Sequence, residues 1–321
     1  MKIRNRFLSL LVGLFLIAPW IPVPMTASFS ALSNFRLNRE SQTAPAGPIP
    51  EKNPQKSTAS GRPDMTGILQ NCAEYCRKLA NSALFFICQE KIKEEIYEFR
   101  SGGTVVVSGG EGEAITYGTA PSFRRRANRN SYVYDYQLVK KGETIEETRT
   151  LLEENGRNKD LKNAPLKTQR FFSRRAVFGP VGFFGREWHD VYDYEFIKQV
   201  RVDGRETYVI KAKPKVPIEG KPNYGTLWVD KTDSSVIKME VEDQSLAGFE
   251  KILEVAKSRG LKPILTTVHE YGIIKNGLRF PSRTVFNEKY SGSRSSGFTQ
   301  SKTEIRYEKY RFFTVETKVE Y

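Results

Sequence analysis

Apolar and polar side chains alternate with a period of two along most of this chain, in runs joined by short turn sequences. In "YGTLWVDKTDSSVIKMEVE", Tyr224 to Glu242, a polar turn separates two such runs. Successive strand side chains point to opposite faces. Leu227 and Val229 therefore share one face going in, and Ile237, Met239 and Val241 share it coming out, with Trp228 and Lys238 on the other. "SYVYDYQLVKKGETIEETRTLLEENG" folds at Lys140–Gly142, with Tyr132, Tyr134, Tyr136 and Leu138 opposite Val133, Asp135 and Gln137. "DVYDYEFIKQVRVDGRETYVIKAKP" turns at Asp203–Gly204, a strong two-residue hairpin signal. "LKPILTTVHEYGIIKNGLRFPSRTVFNEKY" turns at Asn276–Gly277, and "QSKTEIRYEKYRFFTVETKVEY" is a last long strand. Long antiparallel strands in series predict a mainly β (α+β) chain built on one large curved sheet or barrel. A β unit of about 200–250 residues is ordinary as a single domain.

The N-terminus reads as an address. Lys2, Arg4 and Arg6 precede an apolar stretch from Phe7 to Trp20, and small residues follow at Ala27 and Ser28. This is the pattern of a secretory signal peptide over residues 1–27, cleaved near residues 27–31. Pro19, Pro22 and Pro24 shorten any helix there below the roughly 20 apolar residues of a membrane span. The chain is thus expected to be exported, to the periplasm or beyond. Residues 28–65 are rich in Pro, Ser, Ala and charge, too poor in large apolar side chains to offset the entropy of ordering, and read as a flexible tether. Loss of the three basic residues takes the formal charge from +14 to +11. Export, the alternation of basic with acidic residues and the lack of any recognition signature argue against nucleic acid. A lipid headgroup of an anionic membrane surface or another envelope polyanion is the better-matched partner, and a solvated basic surface with no partner accounts for the charge equally well.

Ordered structure is expected from residue 66 to 321. Asp64 can cap the helix "MTGILQNCAEYCRKLANSA", where Ile68, Leu69, Cys72, Tyr75, Cys76 and Leu79 form one apolar stripe. Leu84, Phe86, Cys88, Ile92 and Ile96 then share one strand parity, although "KIKEEIYEF" also suits a helix. Residues 101–130 read as a flexible glycine-rich insertion, and residues 245–259 as a short amphipathic helix with Ser245 as its cap. In an oxidising compartment the crowding of Cys72, Cys76 and Cys88 favours one disulfide. Cys72 and Cys76 stand one helical turn apart, so Cys76–Cys88 is the expected pair.

Catalytic signatures are sparse. The only histidines are His189 and His269. Each has a carboxylate beside it in sequence, but adjacent strand residues face opposite ways. No G-x-S-x-G elbow, phosphate loop or metal-ligand spacing occurs, so neither an enzyme nor a metal or other cofactor is expected. The most unusual stretch is "RFFSRRAVFGPVGFFGREW", Arg170 to Trp188. Phe171, Phe172, Phe178, Phe183, Phe184 and Trp188 alternate there with Arg170, Arg174, Arg175 and Arg186. It suits either a plug of the barrel mouth or a flap that meets a membrane, aromatics inserting while arginines meet phosphates.

The leading helix, the long antiparallel series and a G-x-x-W-V-D-x-x-x-x-x-V-x-x-x-E hairpin (Gly225, Trp228, Val229, Asp230, Val236, Glu240) together resemble the periplasmic lipoprotein-carrier family, LolA- and LolB-like. "GLRFPSRTVFNEKY" and "TEIRYEKYRFFTV" are similar to its wider lipoprotein-sorting relatives. The resemblance spans roughly residues 66–321; the cysteine cluster, tether and glycine-rich insertion depart from it. It implies an unclosed β-barrel with a helical or loop lid, holding a lipid or an acylated protein on its apolar hollow face as a monomer. Phe86, Leu227, Val229, Ile237, Met239, Val241, Phe178, Phe183 and Phe184 are the candidate lining. Arg170, Arg174, Arg175 and Arg186 are candidate membrane or anion contacts. The alternative is an envelope scaffold or stress sensor that binds another protein through the same fold; a hydrolase ranks third.

Overall fold

The computed structural model describes residues 25–27, 63–82, 85–100, 124–141, 144–216, 223–246, 249–258, 260–292 and 295–313. Apart from Met25–Ala27, the residues expected to form the signal peptide lie outside these ranges, as do most of the tether and residues 101–123. Helix α1 (Met65–Ser82) starts where the sequence signals it: the Thr66 amide donates to Asp64 Oδ1 at 3.1 Å, and the Ile68 amide to the Asp64 carbonyl. Its stripe of Cys72, Tyr75, Cys76 and Leu79 is buried.

Strands β2 (Phe85–Arg100), β3 (Arg124–Lys141), β4 (Thr144–Glu154) and β5 (Arg157–Leu161) step outward from the middle of one sheet to its first edge. The ambiguous "KIKEEIYEF" is strand, because β2 is paired along its length between β3 and the last strand. β3 begins at Arg124, so the last residues assigned to the glycine-rich insertion are strand. The chain then crosses to the opposite edge. β7 (Tyr192–Val202), β8 (Arg205–Pro214), β9 (Gly225–Asp230), β10 (Val236–Val241), β11 (Leu261–Glu270), β14 (Arg283–Gly292) and β15 (Ser295–Phe312) step back inward. β15 lies against β2 and completes eleven antiparallel strands, in the order β5-β4-β3-β2-β15-β14-β11-β10-β9-β8-β7. The edges β5 and β7 do not pair, so the sheet is unclosed. β5 is short and exposed and β7 carries an irregularity between Phe196 and Lys198, both devices that blunt an edge.

Asp203–Gly204 and Asn276–Gly277 have positive φ at both residues, the signature of the two-residue turns expected there. The second closes a separate small hairpin, β12 (Ile273–Lys275) with β13 (Leu278–Phe280), while β11 pairs with β14. Two short pieces complete the chain: β1 (Met25–Ala27), parallel to β6 (Phe171–Ser173), and helix α3 (Phe249–Ser258), packed on β11. Ser245 does not cap α3; its hydroxyl donates to the Glu242 carbonyl and closes the preceding turn.

Residues 162–191, between β5 and β7, have the whole sheet to cross. This strap, which includes β6 and the one-turn helix α2 (Val181–Phe184), runs over the face where the apolar alternation points. The other face carries the charge ladders expected of solvated strands, such as Lys91 with Glu308 and Arg283 with Glu304. Among the described residues, no helix is long and apolar enough to cross a membrane.

Candidate functional site

The face beneath the strap has two halves. On β8 to β10 it is apolar: Ile210, Ala212, Leu227, Val229, Met239 and Val241 are buried. Cross-strand register aligns them, Ile210 opposite Leu227 opposite Met239, and Ala212 opposite Gly225 opposite Val241. Gly225 has to be glycine: a Cβ there would run into the Glu240 carbonyl across the pair. The strap lies directly on this half. A Cβ on Gly179 would stand 2.9 Å from Met239 Cε and against the Tyr271 hydroxyl. That hydroxyl donates to the Ala176 carbonyl at 3.0 Å. Val177, Phe178, Val181, Phe183 and Phe184 are buried here, and α1 closes the third layer, the Cys76 thiol donating to the Pro180 carbonyl at 3.5 Å. Tyr194 donates to the Phe183 carbonyl at 2.6 Å and ties α2 to β7.

The same rows continue onto β11, β14, β15 and β2, and there they turn polar. One runs from Met239 to His269, Thr284, Ile305 and Ile92; the other from Val241 to Thr267, Phe286, Thr303 and Glu94. His269 is buried, its Nδ1 3.0 Å from Thr284 Oγ1, and burial lowers its pKa to about 4. Glu270 faces the other side, with Arg283. Glu90 is wholly buried in a bidentate pair with Arg149, 2.7 and 3.3 Å, and Arg149 also meets Glu147 and lies over the Tyr136 ring. Glu288 accepts from Tyr290 and Ser301 and stands 3.8 Å from Arg170.

Carboxylates hold the strap on this side. Glu94 Oε1 accepts the amides of Gln169 and Arg170 at 2.9 and 3.1 Å, and Glu147 accepts the Arg175 amide at 3.1 Å. Burial raises the pKa of Glu94, against the pull of those amides. The Phe171 ring stacks on Phe286 at 4.9 Å.

The sequence-derived candidates therefore fall into separate places. Leu227, Val229, Met239 and Val241 line the apolar half, and Phe178, Phe183 and Phe184 cover it. Ile237 is buried, but a register shift between Val236 and Lys238 makes Val236 the partner of Val229, and Val236, not Ile237, belongs to the main core. Trp228 and Lys238 do face the other side, the ammonium 4.3 Å from the ring centroid. Phe86 packs elsewhere, in an aromatic group with Tyr136, Phe280, Tyr310 and Phe312. Arg170 is buried and Arg175 donates to the Ile145 carbonyl; Arg174 and Arg186 are exposed. The expected Cys76–Cys88 disulfide is not formed: all three cysteines are buried free thiols. Cys76 points at Pro180, whereas Cys88 on β2 meets Tyr310, so the two sulfurs occupy different parts of the core. Burial pushes the Cys72 thiol up to about 12 and raises the other two, as for small apolar side chains.

The polar wall is not among the sequence-derived candidates, because acidic residues that alternate with basic ones read, by composition, as the solvated face of a sheet. Its signal is parity: Glu90 and Glu94 share the phase of Phe86, Cys88, Ile92 and Ile96.

No protein-family model matches the chain, and no curated protein does. Solved structures similar to it include a LolA superfamily protein from Nitrosomonas europaea, 11% identical over 77% of this chain and 94% of that one, with a TM-score of 0.29. A putative outer membrane lipoprotein-sorting protein domain from Vibrio parahaemolyticus is 12% identical over 78% and 94%, with a TM-score of 0.33. The MucA/MucB complex of Pseudomonas aeruginosa is matched at 12% identity over 78% and 99%, with a TM-score of 0.21.

Proposed function

We propose that this chain is an exported, periplasmic binding or carrier protein that holds the acyl part of a lipid or acylated protein on the apolar half of its unclosed sheet, under a strap that lifts. One observation carries this reading. The strap supplies Val177, Phe178, Val181, Phe183 and Phe184 to the core, yet it belongs to no strand of the eleven-stranded sheet. Lifting it uncovers apolar surface without breaking a rung of that sheet. An acyl chain laid in its place regains about 0.8 kcal/mol for each methylene buried. Exposed Arg174 and Arg186, at the two ends of the covering segment, are the remaining candidates for contact with an anionic membrane surface.

The test is lipid mass spectrometry on protein purified from the periplasm of a Gram-negative host, with titration of a fluorescent fatty acid. Copurified lipid and saturable probe binding are expected; a folded protein with neither contradicts the reading. A second reading, a scaffold or sensor that binds another protein, is favoured by the bulky side chains that meet across the hollow, Phe171 on Phe286 and Tyr271 on the Ala176 carbonyl. A lipid-free protein that ignores the probe supports it.

A further inference from the structure

The polar half of the face beneath the strap contains hydrogen-bonding groups that are not used among the described residues. Thr303 and Thr267 are wholly buried, and neither hydroxyl has a partner among the described residues. They flank Phe286 in one cross-strand row, and Glu94 lies directly opposite Thr303. Glu94 Oε1 is already occupied in a telling way: it accepts two successive backbone amides from the strap. The wall therefore binds peptide amide groups within its own chain, and it keeps hydroxyl donors beside them for carbonyl oxygens. Buried polar groups are ordinarily paired, so two unused hydroxyls in one row mark a surface shaped for something besides the strap.

We infer that Glu94, Thr303 and Thr267 form a head-group site for an amide-bearing, peptide-like ligand, whose N–H groups replace those of Gln169 and Arg170 on Glu94 and whose carbonyls accept from the threonine hydroxyls. The inference rests on the lipid-binding reading above and deepens it: the acyl tail lies on the apolar half, and the adjoining polar rows read the group it is attached to. Phe171 leaves its stack on Phe286 as the strap gives way. A simple ester accepts hydrogen bonds but has no N–H to offer Glu94, so it leaves that carboxyl unsatisfied.

The experiment compares two neutral probes with the same tail, N-dodecanoyl-glycinamide and methyl dodecanoate, in competition with a fluorescent fatty acid on the full mature chain. The amide is expected to bind about tenfold more tightly than the ester, as a site built to hydrogen-bond its ligand discriminates against one lacking the donor. Thr303→Val, which keeps the side-chain shape, removes a donor that the two strong amide carbonyls use more than the single weaker ester carbonyl, and is expected to weaken the amide more than the ester and so cut that preference to about threefold or less. Thr267→Val provides a second variant, and an unchanged near-UV circular dichroism spectrum shows that each is folded. Equal binding of the two probes by the wild type, or a preference intact in both variants, overturns the inference and leaves the lipid-binding reading standing. If neither probe nor the fatty acid binds, that reading falls and this inference with it.

Discussion

On β8 to β10 the strap rests on Leu227, Val229, Met239 and Val241, which offer it surface and no direction. On β2 and β4 the same strap is held by Glu94 and Glu147, which accept particular amides. Apolar contact is roughly proportional to area and indifferent to what supplies it, which is why the proposed function lets an acyl chain take the place of Phe178 and Phe184. A buried carboxylate has to be given another donor, because an unsatisfied one is costly. The difference teaches that the strap is not uniform. On the function proposed above, its α2 part is the part exchangeable for an apolar ligand, and its Gln169–Arg170 part is an anchor that a hydrogen-bonding ligand would release.

The largest effect is expected where the polar half is broken. Arg149→Met leaves Glu90 wholly buried without its cation, and unfolding in urea should show a loss of about 3–5 kcal/mol. On the apolar half, Met239→Ala should cost about 2–5 kcal/mol by the same measurement, and weaken the fatty-acid probe as well. If Arg149→Met proved the milder of the two, the contrast between directional and non-directional support would be wrong.

A pH experiment sharpens the same contrast. His269 is buried with a pKa lowered from 6.5 to about 4, so folding disfavours its charged form. Its stabilising contribution is complete above about pH 6.5 and is lost as pH falls towards 4, by roughly 3 kcal/mol over that window. Glu94, with a raised pKa, works in the opposite sense, gaining as pH falls, and is common to wild type and His269→Gln. Denaturation midpoints should therefore fall more steeply between pH 6.5 and 4 in the wild type than in His269→Gln; parallel curves would show that the polar half does not hold this imidazole neutral. A smaller effect is expected from Gly179→Ala. The new Cβ meets the Tyr271 hydroxyl and Met239, costing about 1–3 kcal/mol. Because the closed strap is what is strained, probe affinity should rise while stability falls. Unchanged affinity would mean that the strap does not compete with the probe.

Much of this was legible in the amino-acid sequence, since period-two alternation and the Asp203–Gly204 and Asn276–Gly277 turns specify strands and hairpins locally. Asn155–Gly156, an equally good turn with positive φ at both residues, adds β5 at the sheet edge and is easily passed over at the end of a long charged strand. The parity of the β9–β10 hairpin places four of its five inward residues in the main core. The fifth, Ile237, is displaced because one extra residue at the Val236–Lys238 irregularity shifts the alternation, and nothing in the side chains there announces it. The paths of Cys76 and Cys88 depend on how α1 settles on the strap, a tertiary matter that spacing along the chain does not encode. The polar half is the least legible part of the face. Composition treats Glu90 and Glu94 as surface residues, and only their phase with Phe86, Ile92 and Ile96 shows that they point inward.

The central claim, that the α2 part of the strap yields to an apolar ligand, is tested most directly by amide hydrogen exchange with and without a saturating fatty-acid probe. The amides of Phe178 and Phe183 to Gly185, bonded only within the strap in the closed form, should exchange faster when the probe is bound. Those of Gln169 and Arg170, bonded to Glu94, should stay slow, as should the β8–β10 ladder. Saturable binding with unchanged protection across residues 176–185 would contradict the account.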